Sequence, residues 1–181
     1  MLASVESVLD TLFDFALPED AAAWQAIGDP VMGGASVGRL LPLPGGSAAF
    51  SGDLSLAGGG GFASVRSAPG RFDLSHHEAI VLEARGDGRL YTIALRTDPY
   101  FDGVSYQASF STRPGRWDVV RIPFASFHPR WRGRPVPGAP GLEPGRVVSL
   151  GIVLADRRAG PFHLEIQSIR ALRRGRGPGR P

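Results

Sequence analysis

Ala48–Arg66, AAFSGDLSLAGGGGFASVR, decides how the rest of the chain is read. Phe50, Leu54 and Leu56 fall on one face at period two, as in a strand with one buried side. Gly58–Gly61 cannot favour a helix, because each glycine loses the most backbone entropy and offers no side chain to pack. Beyond them, Ala63 and Val65 alternate with Phe62 and Arg66. Strand, glycine turn, strand predicts a β-hairpin. The turn is either simply tight or sits against other backbone, which glycine allows to approach. Arg66 faces away from Ala63 and Val65, and an arginine inside a sheet needs partners for its guanidinium donors.

The same alternation recurs on both sides. Leu90–Thr97 sets Tyr91, Ile93 and Leu95 against Thr92 and Arg96, and Val104–Thr112 sets Tyr106, Ala108 and Phe110 against Ser105, Gln107 and Ser109. Gly38–Leu43, Ile80–Ala84, Trp117–Phe124, Val147–Ala155 and Phe162–Leu172 also read as strands, with His128–Pro144 as a long Arg/Pro/Gly loop. Near the start, Ser4–Phe13 fits a short amphipathic helix, or Leu12–Phe15 is already the first strand; Asp20–Trp24 fits a helical turn after Pro18. Short, regularly spaced strands without a long helical period predict an all-β sandwich or barrel. The expected organisation is an N-terminal segment (residues 1–11), a β-sandwich domain (12–172) and a disordered Arg/Gly/Pro tail (173–181).

The chain of 181 residues suits one domain with a substantial core. All 20 basic residues are arginine, with neither lysine nor asparagine; both absent residues use AT-rich codons, so a GC-rich, bacterial origin is the expectation. The net charge of +3 is unevenly placed. Arg170, Arg173, Arg174, Arg176 and Arg180 crowd the C-terminus, and the preceding 169 residues carry 15 Arg against 17 acids, a net of −2. The tail suits solubility, or contact with an acidic partner or acidic lipid, which leaves peripheral membrane association open; nothing else points to specific nucleic-acid recognition. The absence of cysteine excludes disulfides and thiolate chemistry. No apolar run is long enough for a transmembrane helix. Glu6, Asp10 and Asp14 occupy the region where a secretory signal carries positive charge, so the expectation is a cytoplasmic protein beginning near Met1.

Several motifs mimic catalytic chemistry. Gly34–Gly38 matches G-x-S-x-G around Ser36, but a nucleophile elbow needs a strand before it and a helix after it. Gly58–Ala63 matches G-x-G-x-x-A, but no helix opens after it to receive phosphate. Arg85-Gly86-Asp87 spells an adhesion tripeptide at a strand–turn junction. His76, His77, His128 and His163 lack metal-ligand spacing; a calcium among the loop residues Asp29, Asp87 and Asp156 is the one metal alternative. Neither a catalytic set nor a cofactor is expected. Two surfaces stand out instead. If neighbouring polar faces align, Arg66, Glu83, Arg96 and Gln107 form either a ligand surface or a self-satisfied network. Trp131 among Arg130, Arg132 and Arg134 is either an interaction hot spot or a ring folded over the end of the sandwich.

Scattered short pieces then fall into a pattern. Asp29–Ser36 (DPVMGGAS), Phe50-Ser51-Gly52, Gly60–Arg66, Gly86–Arg89 with Tyr91, Tyr106-Gln107, Arg132-Gly133-Arg134, Leu150-Gly151-Ile152, Ala155-Asp156, and Gly160-Pro161-Phe162 through Glu165-Ile166 occur in this order. In that order the chain resembles the complex I intermediate-associated protein 30 family, from about Leu12 to Leu172. One departure is Gly58-Gly59, where the family often has Asn. The resemblance implies a jelly-roll β-sandwich like galactose-binding domains and a non-enzymatic role. It implies an assembly factor or chaperone-like partner for subunits or intermediates of respiratory NADH:ubiquinone oxidoreductase, as for the family's mitochondrial members. The docking surface expected on this reading is Asp29, Met32, Gly33, Gly34 and Ser36 with Arg66, joined by Arg130, Trp131, Arg132 and Arg134. The alternative is a carbohydrate or small-ligand module using Arg66, Glu83, Arg96 and Gln107. Against it, Tyr91 and Tyr106 fall on the core-like face and offer no aromatic platform there.

Overall fold

Residues 8–28, 35–100 and 102–175 are described by a computed structural model. In chain order they form β1 (Leu9–Asp14), a one-turn helix α1 (Pro18–Ala22), β2 (Trp24–Gly28), β3 (Val37–Leu43), β4 (Ser47–Leu54), β5 (Ala63–Ser67), β6 (His77–Arg85), β7 (Leu90–Arg96), β8 (Ser105–Ser111), β9 (Trp117–Pro123), β10 (His128–Trp131), β11 (Arg134–Pro135), β12 (Ser149–Leu154) and β13 (Gly160–Arg173). A six-stranded sheet runs β3-β4-β13-β6-β9 with β1 also on β13, and a seven-stranded sheet runs β11-β10-β8-β7-β12-β5-β2. Every strand pair is antiparallel. This is the jelly-roll β-sandwich that the alternation and the family resemblance predict. Among the described residues no helix is long and apolar enough to cross a membrane.

The period-two pattern works because each sheet has one face on the core. Tyr91, Ile93 and Leu95 of β7, Val65 of β5 and Leu150, Ile152 and Leu154 of β12 meet Phe50 of β4, Leu82 of β6 and Leu164 and Ile169 of β13 in one buried cluster. Tyr91 enters it with a polar atom, and its hydroxyl donates to Asp87 Oδ2 at 3.0 Å. Burial raises the Tyr91 phenol's pKa, and the Asp87 charge adds to the effect. Asp87 also accepts from the backbone N–H of Arg89 and of His163. At the same end, Arg89 is buried with Asp156, the two side chains 5% and 6% exposed. Its Nε and Nη2 donate to the two Asp156 oxygens at 2.9 and 2.6 Å. Its remaining donors reach the carbonyls of Arg158, Gly160 and Pro161. Asp87 and Asp156, weighed above as calcium ligands, are thus held by protein donors.

The hairpin expected across Gly58–Gly61 does not form. β4 already pairs on one edge with β3 and on the other with β13, so β5 passes to the opposite sheet, between β2 and β12. The glycines, with φ of +65° at Gly58 and +75° at Gly59, turn the chain between layers instead of reversing it within one. The N-terminal helix alternative also fails over the described residues: Leu9–Asp14 is a strand on β13. Trp117 lies on an edge strand, 37% exposed, with the Arg85 guanidinium 5.0 Å above its ring. Part of the basic C-terminus is built into the sheet: Arg170 bonds Glu83, Arg173 bonds Asp10 and Arg174 bonds the His77 carbonyl.

Two outcomes test this packing. A Cβ on Gly52 would lie 1.8 Å from the Val37 carbonyl oxygen, so Gly52→Ala is expected to lower stability by about 3 kcal/mol. Gly59→Ala, whose Cβ meets nothing, should lose only about 1 kcal/mol through its positive φ; urea midpoints at constant slope read both. Asp156→Asn, which leaves the Arg89 charge buried, is expected to cost about 3 kcal/mol at neutral pH. The hydrogen bonds from Arg89 hold the Asp156 carboxyl below its ordinary range. Its contribution is therefore full above the unfolded carboxyl's pKa of about 3.9 and is lost as pH falls through the lower folded value. Unfolding measured against pH should show that acid loss in the wild type and a flatter limb in Asp156→Asn.

Candidate functional site

The outer face of the seven-stranded sheet carries the polar side of the alternation. Gln25, Arg66, Gly151, Ala94, Gln107 and His128 occupy one row across β2, β5, β12, β7, β8 and β10. Arg66 and Gln107, put together from the sequence, do share this row, and Arg96 lies one step further along β7. Glu83 does not join them. It sits on β6 of the other sheet, beside Val119 and Ser168, and pairs with Arg170 at 2.9 Å. Alternation gives the face of a strand but not the sheet to which that strand belongs.

The middle of this polar face is closed. Ala94, Arg96, Ser105 and Ser149 are only 3–8% exposed. Arg96, at the end of β7, turns its guanidinium under the loop that follows: Nη2 donates to the Tyr100 carbonyl at 3.0 Å, Nη1 reaches the Gly103 carbonyl at 3.5 Å, and Asp98 Oδ1 lies 3.4 Å from Nη2. Gly103 permits this approach, since a Cβ there would stand 3.0 Å from Arg96 Nη2. Gln107 turns back on its own strand to donate to Ser105 Oγ at 2.9 Å. Half-buried Arg66 has its pKa lowered, first by desolvation and then by the nearby Arg96 charge, against the opposing fields of Asp98 and Asp102.

The same loop reaches the tryptophan predicted as a hot spot. The region expected to be loop from His128 onward contains a short hairpin, with Trp131 opposite Arg134. Its two-residue turn, Arg132-Gly133, has φ of +47° and +75°, the type I′ geometry suited to the twist of paired strands. Asp102 clamps it: the Trp131 indole N–H donates to Oδ1 at 2.9 Å and Arg132 Nη2 to Oδ2 at 2.7 Å. The Arg132 guanidinium also lies 5.0 Å from the Trp131 ring centre, within cation–π range. Arg132 first, and Trp131 after it, hold the Asp102 carboxyl below its usual range. Trp131 remains 45% exposed and Tyr100 71% exposed. The result is two outward aromatics beside a band of alternating charge, with Arg130 bonded to the Gly133 carbonyl at 3.1 Å and Arg134 exposed.

Other expected members fall elsewhere. Asp29, Met32, Gly33 and Gly34 lie outside the described residues. Ser36 is fully buried, and its hydroxyl donates to the Ser55 carbonyl and accepts from the Ser55 N–H, each at 3.0 Å; it anchors a loop from inside and cannot be a surface contact. The sequence reading missed Asp98, Tyr100 and Asp102. Their signal was Asp98-Pro99 and Asp102-Gly103, turn pairs bracketing two aromatics.

Comparison with known proteins bears on the family and the fold. The family described as complex I intermediate-associated protein 30 matches residues 13–166. A Drosophila melanogaster protein named complex I intermediate-associated protein 30, mitochondrial, is 29% identical over 88% of this chain and 62% of its own length. This chain thus spans under two thirds of that relative. A Neurospora crassa protein of the same name is 24% identical over 87% of this chain and 71% of its own. Among solved structures, a family 11 carbohydrate-binding module of a Clostridium thermocellum cellulase superposes with a TM-score of 0.66 at 19% identity, over 92% of this chain and 95% of that one; this likeness is one of fold. The cytoplasmic expectation is overturned, since the fly and Neurospora relatives are mitochondrial proteins by name.

The clamp at Asp102 is open to a direct test. In acid titration followed by NMR, the Trp131 indole N–H resonance is expected to shift with a midpoint below about 3.9, the ordinary aspartate value, as its acceptor is protonated. In Asp102→Asn that transition should vanish, while the indole signals of Trp24 and Trp117 stay as in the wild type.

Proposed function

The chain belongs to the complex I intermediate-associated protein 30 family, and on that premise we propose that it is a non-catalytic docking protein, chaperone-like in action, for a subunit or assembly intermediate of respiratory complex I. The observation that carries the reading is the exposed Trp131, fixed between Asp102 and Arg132 beside the more exposed Tyr100. Tryptophan, tyrosine and arginine dominate the energetics of protein interfaces, and an anchor already held in one orientation loses little entropy on binding. Arg132 is paired with Asp102, while Arg130 and Arg134, the neighbours of Trp131 along and across the hairpin, add positive charge that suits an acidic rim on the partner. Ser36, buried and hydrogen-bonded, is not placed to act as the nucleophile of its G-x-S-x-G pattern. A sugar-binding groove between Arg66 and Arg96 is the weaker reading, because the centre of that face is closed by side chains and loop.

The test is affinity capture from membranes and soluble extract of the source organism, using the wild type, Trp131→Ala and Tyr100→Ala. Complex I subunits should be enriched by the wild type and lost with Trp131→Ala, while that variant unfolds within about 0.5 kcal/mol of the wild type, as surface substitutions do. Equal capture by the variants would move the docking surface elsewhere. Failure of the wild type to capture any complex I subunit would overturn the assembly reading.

A further inference from the structure

β13 outruns its neighbours along one edge. β4 pairs with Gly160–Ile166 and β1 with Ser168–Leu172, and Gln167 falls between them. On the other edge, the register against β6 also shifts between Ile166 and Ser168. The extra residue is a β-bulge, a device that re-aims side chains, and its carbonyl accepts the Phe15 N–H at 3.0 Å. Above this junction, on the outer face of the six-stranded sheet, lies a shallow depression lined by Thr11, Asp14, Glu83, Gln167, Ser168 and Arg170. Asp14, Ser168 and Glu83 form one row across three strands, and Thr11 and Arg170 form the next. At about 4.8 Å between strands, the two carboxylate-bearing strands stand roughly 10 Å apart, with Ser168 between them.

Two polar groups at this place are incompletely used. Ser168 is 8% exposed, and neither its Oγ nor Arg170 Nε has a hydrogen-bond partner among the described residues. A buried donor left in that state is costly, and here two share one depression. Arg170 Nη2 meanwhile donates to Glu83 Oε2 at 2.9 Å, which sets an N–H donor beside a carboxylate with acceptor capacity left. Asp14 adds a second carboxylate, and Thr11 and Gln167 add groups that both donate and accept.

We propose that this depression binds a small polyhydroxylated molecule, a sugar or polyol. Hydroxyl groups donate and accept at once, so one face of a vicinal diol satisfies both members of the Arg170–Glu83 pair while a further hydroxyl meets Ser168. An anion would meet the charges of Asp14 and Glu83, a free cation would meet Arg170, and an apolar molecule would find polar walls. The site lies on the opposite sheet from Trp131 and is independent of the complex I reading.

The test is a ¹H–¹⁵N NMR titration of the full chain with D-glucose, D-galactose and glycerol. A saturable shift of the Asp14, Glu83 and Ser168 amides with any one of them is the expected result, with affinity about tenfold weaker in Ser168→Ala and Glu83→Gln. Trp131→Ala should titrate like the wild type. Ser168→Ala removes only an unbonded hydroxyl, so its fold is expected to hold, and thermal unfolding checks this. The proposal is overturned if no probe gives a saturable shift, if the shifts centre on Gln107 and His128, or if both site variants titrate like the wild type.

Discussion

Most of this fold hangs on the pairing of one long strand. Gly160–Arg173 bonds β6 along one edge and β4 and then β1 along the other, so the six-stranded sheet is assembled about a central spine. Its inward residues, among them Leu164, Ile166 and Ile169, are fully buried in the common core. Its outward Glu165 accepts from Ser47 of β4 and from Arg85 of β6, each at 2.6 Å, and so clasps the strands on either side. Burial pushes that carboxyl up, but the two donors outweigh it and hold Glu165 below its ordinary value. Pairing of this kind joins residues far apart in the chain, Ser47 with Glu165 for example, and contacts of such long range form slowly for their loop-closure cost.

The second sheet uses its polar face differently at its two ends. Toward β7, Arg96 is drawn down against the Tyr100 and Gly103 carbonyls. Toward β10 and β11, a carboxylate from the loop after β7 reaches out and fixes a tryptophan. Arg96, Asp98, Asp102 and Arg132 connect the two ends, each guanidinium meeting a carboxylate. The exposed pairs add little stability on their own; what they supply is a defined direction for the Trp131 ring.

How far the sequence carried can be judged residue by residue. Tyr91, Ile93 and Leu95 declared their strand because one face of it is core and the other is not. The same pattern could not say that β4 and β5 part company, since period two fixes facing and not partnership. Glu83 was assigned to the wrong company for that reason. The short hairpin was hidden because Arg132-Gly133 lacks the Asn-Gly or Asp-Gly signature of a type I′ turn. The exposure of Trp131 was legible from its arginine neighbours, whereas its contact with Asp102 was not, because the two partners of Asp102 stand 29 and 30 residues away. Ser36 shows the reverse failure: a hydroxyl in a glycine-rich loop reads as surface, and this one is interior.

The antiparallel joining of β1 to β13 has a mechanical side. Leu9 stands opposite Leu172, and the Arg173 N–H donates to the Val8 carbonyl at 2.9 Å. Chain attached before β1 and chain attached after β13 therefore depart from the same corner. Tension drawn between them loads the pair at its last rung and peels it like a zipper, one hydrogen bond at a time, instead of shearing all of its bonds together. A tether on either side would transmit its pull to this seam first, while the closed β7–β12 centre of the opposite sheet stays unloaded.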